Sequence, residues 1–169
     1  MKARIIVGFA AIALAIAAAA AILALSGLSH VRPAPEVRFT PLSGETFSTS
    51  DLRGKVVLVN FWATYCGSCL KEMPRIVDTH RKFAPRGYET VAVAVRRDNP
   101  ERVAKYASSH ALPFRVALDS SGEAAKEFGN VRITPMSFLI DKKGRVLRRY
   151  VGEPNWTEVH DLVERALAS

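Results

Sequence analysis

Cysteine is scarce in this 169-residue chain: there are two, Cys66 and Cys69, with Gly67 and Ser68 between them. A structural zinc site usually takes four ligands, and no second cysteine pair exists to complete one. The four histidines, His30, His80, His110 and His160, show no ligand spacing either. No internal repeat or low-complexity tract is present, so the length suits one globular domain plus an appendage. Charge is missing from one long stretch: nothing between Ile5 and Ser29 is charged, and most positions there are Ala, Ile or Leu.

About 20 apolar residues cross a bilayer core. Lys2 and Arg4 precede the run, so the positive-inside tendency leaves the N-terminus cytoplasmic and the rest outside. The segment 1–29 reads as a membrane anchor or a signal segment. Its length exceeds the apolar core of about 7–15 residues usual in a cleaved signal peptide, which favours the anchor. Either reading exports the remaining chain to a compartment that supports disulfides, with the domain facing away from the cytoplasm.

The formal net charge is +8. The basic residues are scattered, with small clusters at Arg96-Arg97, Lys142-Lys143 and Arg148-Arg149. A nucleic-acid reader concentrates charge on a recognisable motif, and none is found, so no nucleic-acid partner is expected.

Residues 30–36, HVRPAPE, read as a linker with two prolines. Residues 37–169 then form the domain. Val37 to Thr40 reads as a short edge strand, and Leu42 to Leu52 as a hairpin-like lead-in loop. Lys55 to Phe61, KVVLVNF, is a nearly unbroken apolar run of β-branched character, the pattern of a strand covered on both faces. A helix begins at the cysteines, with Leu70, Met73, Ile76, Val77 and Phe83 on one apolar stripe, and Pro74 predicts a kink within it. Thr90 to Val95 is the next buried strand. Asn99-Pro100-Glu101 reads as a helix start: cap, proline in the first turn, then an acid toward the dipole. A strand at Phe114 to Leu118 and a helix from about Ser121 to Phe128 follow. Met136 to Asp141 and Arg145 to Val151 form a hairpin, with Gly144 supplying positive φ at the turn. The last helix spans about Asn155 to Ala168. This alternation indicates an α/β domain, a mixed sheet with helices on both faces.

Residues three apart on a helix lie about 5–6 Å apart on one face, which suits the Cα separation of a disulfide. A bridge over two intervening residues removes little chain entropy, so the pair is better placed for exchange than for stapling. Cys66 is expected at the helix N-terminus, where free N–H groups and the dipole favour a thiolate. It would attack first, and Cys69, one turn deeper, would resolve the mixed disulfide.

The segment KVVLVNFWATYCGSCLKEMP, with ITPMSFLIDKKGRVLRRYVG further on, resembles the thioredoxin superfamily, in particular the exported TlpA/ResA/CcmG-like thiol–disulfide oxidoreductases. The resemblance covers roughly Val37 to Ser169. It implies a thioredoxin-like three-layer sandwich around a five-stranded mixed sheet extended at its N-terminus, behind the N-terminal membrane anchor helix. It implies that Pro135 is cis and faces the cysteines, with the backbone beside it, at Thr134, pairing with an incoming peptide strand. It implies that Glu72 takes part in proton chemistry. Asn60 stands where cytoplasmic thioredoxins carry a buried aspartate and cannot titrate, which leaves Glu72 as the candidate acting on Cys69. Trp62 is expected to pack under the active-site loop, and Tyr65 to touch partners. Tyr65 replaces the family's usual tryptophan and Ser68 its usual proline.

The expected function is a membrane-tethered thiol–disulfide oxidoreductase, a reductase of exported protein disulfides in cytochrome c maturation or metal-site assembly. Its partners would be exported protein substrates and a membrane electron-donor protein. No cofactor beyond the Cys66–Cys69 couple and no bound metal is expected. Two alternatives share the fold. A thiol peroxidase would need Pro-x-x-x-Thr/Ser-x-x-Cys, where Val59 and Ala63 stand instead. A Cu(I)-binding chaperone would use the two thiolates, though no third ligand is evident.

Overall fold

The structure, a computed structural model, describes residues 32–169. The expected anchor over residues 1–29 lies outside the described residues. Among those described, no helix is long and apolar enough to cross a membrane.

Strand β3 (Val56–Trp62) is the centre of the molecule, and all seven of its residues are buried. A pleated strand sends alternate side chains to opposite faces, so an unbroken apolar run demands cover on both. β3 pairs in parallel with β4 (Tyr88–Ala94), which pairs in parallel with β5 (Arg115–Leu118). On its other side β3 runs antiparallel to β6 (Met136–Ile140), which pairs with β7 (Val146–Val151). A hairpin of β1 (Arg38–Pro41) and β2 (Phe47–Ser48) extends the sheet beyond β5, giving seven strands in the order β2-β1-β5-β4-β3-β6-β7. The stretch expected as an edge strand is therefore an inner one. β1 has a partner on both sides, and the edge is β2, inside the expected lead-in loop.

Three helices cover one face: α1 (Gly67–Phe83), α2 (Pro100–Ser109) and α4 (Trp156–Ala168). They bury Met73, Ile76 and Phe83, Val103, and Val159 and Val163 against Val56, Leu58 and Trp62 of β3. The short α3 (Glu123–Glu127) and the N-terminal segment cover the other face, packing Phe39, Phe47, Leu52 and Phe128 on Val57, Val59 and Phe61. There Phe61 meets Phe128 and Phe138 edge-on, with ring centroids 5.5 and 6.0 Å away. The sandwich has helices on both faces, unevenly shared. α1 runs through Pro74 as one 17-residue helix.

Asp141 organises the β6–β7 turn. It is buried, and its carboxylate accepts from the Lys143 and Arg145 amides at 3.0 and 2.9 Å and from Arg145 Nε at 2.8 Å. Gly144 takes φ 77° at the tip, a left-handed conformation costly for side-chain-bearing residues. Residues within the stretch read as a linker reach this hairpin: the Ala34 amide donates to the Gly144 carbonyl at 2.8 Å, and the Val146 amide to the Arg32 carbonyl at 2.9 Å.

Burial alone would raise the Asp141 pKa, but the bonds from Arg145 and Lys143 outweigh it and hold it below 3.8. A depressed acid stabilises the fold above its unfolded value, and that stability is lost as pH falls through the folded value. Asp141→Ala should cost about 1–3 kcal/mol at neutral pH, read from the denaturation midpoint, with the gap closing in strong acid. An unchanged neutral-pH midpoint would contradict this role.

Candidate active site

Four connections meet at one end of the sheet. β3, β4 and β5 end there at Trp62, Ala94 and Leu118, while β6 starts and β7 ends there, Met136 lying opposite both Phe61 and Val151. Leaving β3, the chain crosses Ala63, Thr64 and Tyr65 and enters α1 with Cys66 as its N-cap, in extended conformation (φ −93°, ψ 100°).

An N-cap side chain accepts from the free N–H groups of the first turn. Here the acceptor is sulfur: the Cys69 amide donates to Cys66 Sγ at 3.2 Å. Ser68 Oγ lies 3.4 Å from the same sulfur. Cys66 and Cys69 are joined as a disulfide with Cα atoms 5.2 Å apart, within the separation expected from the spacing. Cys66 is half-buried and Cys69 is sealed. One sulfur therefore faces solvent at the positive end of a helix, with the other behind it.

The loop before Cys66 is held from the turn that follows β4. Asp98 is buried; one oxygen accepts from the Thr64 hydroxyl at 2.6 Å and the other from the Thr64 amide. Sequence reasoning missed Asp98. Its only signal was an acid beside the Asn99 cap, and nothing in the spacing joined it to the cysteines. Tyr65, next in the loop, is exposed. Trp62 is fully buried below, its ring centroid 5.2 Å from that of Tyr106, as core packing requires.

Asn60 is buried on the face that α1 covers, in register with Ser137, and its Nδ2 donates to Ser137 Oγ at 2.9 Å. Glu72 is fully buried one helical turn beyond Cys69. Neither Glu72 carboxyl oxygen nor Asn60 Oδ1 has a hydrogen-bond partner among the described residues. Burial of a carboxyl without a partner favours its neutral form. That desolvation, with a smaller push from the charge of Glu153, raises the Glu72 pKa from 4.5 to about 8. Glu153 was not anticipated; it belongs to the turn after β7, far away in sequence. The site thus holds a carboxyl that can both carry and release a proton near neutral pH.

The Thr134–Pro135 bond is cis, as the resemblance implied. Pro135 is buried, and its carbonyl accepts from the Gly152 amide at 2.9 Å, tying the start of β6 to the end of β7. Among the described residues the Thr134 amide and carbonyl take part in no backbone hydrogen bond. Nor does any group of three or more His, Cys, Asp or Glu stand together as metal ligands among those residues.

Comparison with known proteins agrees with this geometry. The Redoxin family profile matches residues 31–165. The thiol–disulfide oxidoreductase ResA of Geobacillus kaustophilus is 35% identical over 136 residues, covering 80% of this chain and 75% of that protein. ResA of Bacillus subtilis is 31% identical over 134 residues, covering 79% and 74%. Among solved structures, a thiol:disulfide interchange protein of the thioredoxin family from Chlorobium tepidum superposes with a TM-score of 0.73 at 30% identity, over 82% of this chain and 98% of that one.

Glu72 gives a sign that can be checked. Its folded pKa lies above its unfolded one, so the native state holds the extra proton and loses stability as pH rises between about 4.5 and about 8. Glu72→Gln removes that dependence. Thermal melts across this range should show the wild type falling progressively relative to Glu72→Gln. Parallel curves would contradict the buried, partnerless carboxyl.

Proposed function

This chain belongs to the Redoxin family and is a thiol–disulfide oxidoreductase of the ResA type, and we propose that it works as a membrane-tethered reductase of exported protein disulfides. The observation that carries the reading is the asymmetry of the pair: a half-exposed Cys66 sulfur at a helix N-terminus with a sealed Cys69 behind it. The apolar run from Ile5 to Ser29 supports both the tether and a domain lying outside the cytoplasmic membrane. Cytochrome c maturation or metal-site assembly is the setting we propose for its clients.

In the reduced protein the Cys66 thiolate attacks one sulfur of a client disulfide. The client S–S bond breaks, and the released client thiolate takes up a proton. Cys69 then attacks Cys66 of the mixed disulfide, and Glu72 takes the Cys69 proton. The second client sulfur leaves as a thiolate and, like the first, takes its proton from water. Two electrons have passed to the client, and the protein ends as the Cys66–Cys69 disulfide with the former Cys69 proton on Glu72. A dithiol of the membrane electron donor reverses these steps, with Glu72 returning its proton to Cys69. The client approaches over Tyr65 and pairs its backbone with Thr134 beside Pro135, an edge-strand mode of recognition. Asn60 and Trp62 shape the floor beneath the pair.

Cys66→Ser should reduce turnover of a protein disulfide to background. Cys69→Ser, expressed in the native envelope, should accumulate client adducts that dissolve on adding reductant. Turnover by Cys66→Ser at the wild-type rate, or adducts in Cys66→Ser but not in Cys69→Ser, would refute the assignment.

A further inference from the structure

Basic residues that are scattered in sequence converge in the fold on the end of the sheet opposite the disulfide. β3 starts there at Val56, beside Tyr88 of β4, and β6 passes to β7 there through the turn at 141–145. α1 and α4 finish at the same end. The Val56 amide donates to the carbonyl of Gly87, just past α1, at 3.0 Å, and Lys142 Nζ donates to the Leu167 carbonyl of α4 at 2.6 Å. Four of the cations here have a carboxylate. Lys55, Arg86 and Arg145 pair with Glu89, Glu164 and Asp141, and Lys142 reaches the terminal Ser169 at 3.1 Å. Six more, Arg32, Arg53, Arg81, Lys82, Lys143 and Arg165, are exposed and form no ion pair among the described residues. Counting Asp78 and Asp161, one turn back on α1 and α4, still leaves four positive charges in excess.

The disulfide end carries no such excess. Lys71, Arg96, Arg97, Arg102 and Arg132 stand there against Asp98, Glu101, Asp119, Glu123 and Glu153. The two ends are separated by the length of β3, about 20 Å.

The chain also enters the fold at the basic end. The Arg32 carbonyl accepts from the Val146 amide at 2.9 Å, and Pro33 bridges Arg145 in antiparallel register. The charge-free run ends three residues before Arg32, at Ser29, and no acid precedes Glu36. Even fully extended, three residues span no more than about 11 Å. A run that spans a bilayer therefore brings this end within about a Debye length of the headgroups.

We infer that the basic end seats the domain on anionic phospholipid headgroups and turns the disulfide end away from the bilayer. This rests on the membrane-tethered reading and names the surface on which the tethered domain lies. Clustered Lys and Arg beside a membrane segment are attracted to anionic lipid, and here the fold collects them at the point of entry. The consequence for the reaction is directional: Cys66 is presented to the aqueous side, a strand length from the headgroups.

The test uses the full chain in vesicles of phosphatidylcholine alone or of phosphatidylcholine and phosphatidylglycerol in equal parts. Cys69→Ser leaves Cys66 as the single thiol for a donor dye, and a rhodamine-headgroup lipid is the acceptor. Energy transfer should be lower in the mixed vesicles, where the basic end is held down, than in phosphatidylcholine, where no lipid charge orients the domain. Concentrated salt should erase the difference. Adding Arg81→Glu, Lys143→Glu and Arg165→Glu, which removes the excess, should give the phosphatidylcholine value in both. The salt comparison needs no surface substitution and stands if that variant fails to fold. Equal transfer in the two lipids, as expected if the basic end binds an acidic protein or a second copy instead, overturns the inference and leaves the tether standing. Higher transfer in the mixed vesicles does the same, because it turns the disulfide toward the bilayer. A chain that alkaline carbonate washes from both kinds of vesicle overturns the tether itself, and the inference with it.

Discussion

The chemistry of this protein depends on one backbone hydrogen bond, from the Cys69 amide to Cys66 Sγ at 3.2 Å. It exists because the sulfur occupies the N-cap of a helix, a position usually filled by a side-chain oxygen. Free N–H groups there favour negative charge, so reducing the disulfide exposes a sulfur already in a stabilising field. Everything around the bond serves to keep Cys66 at that position. The seven buried residues of β3 leave little freedom in where the strand ends. Asp98 then fixes Thr64 in the connection that follows, and packing of α1 on the sheet sets the direction of the helix.

The hydrophobic layer that anchors α1 also creates its least comfortable residue. Met73 and Ile76 belong to the packed face of the helix, and Glu72 is sealed with them. Burial raises that carboxyl's pKa from 4.5 to about 8, which suits it to the proton role proposed for it one turn from Cys69. Glu153, in the turn joined to Pro135 through Gly152, adds to the effect. The proposed proton chemistry and the proposed client contact at Thr134 therefore meet at one loop.

Much of this was legible from short-range pattern. The β-branched run read as a strand covered on both sides, and every residue of β3 is buried. Asn99 read as a cap, and its Oδ1 accepts from the Arg102 amide at 3.0 Å. Gly144 has the positive φ its turn required. What escaped was set by contacts between distant segments. β1 looked like an edge because its β2 partner, only two residues long, has no periodicity to detect. α3 is shorter than expected because Gly122, at φ 78°, starts it late. A glutamate near a helix start reads as an exposed dipole partner; its complete burial follows only once the sheet lies beneath it. Asp98 and Glu153 gave no signal because their roles depend on loops that converge only after folding.

The central claim is that the outer sulfur reacts and the inner one waits. Brief treatment of the reduced full-length protein with limiting iodoacetamide, followed by peptide mass spectrometry, tests it directly. The account predicts the label on Cys66, with Cys69 unmodified until the chain is denatured. A label shared equally, or found first on Cys69, would contradict it.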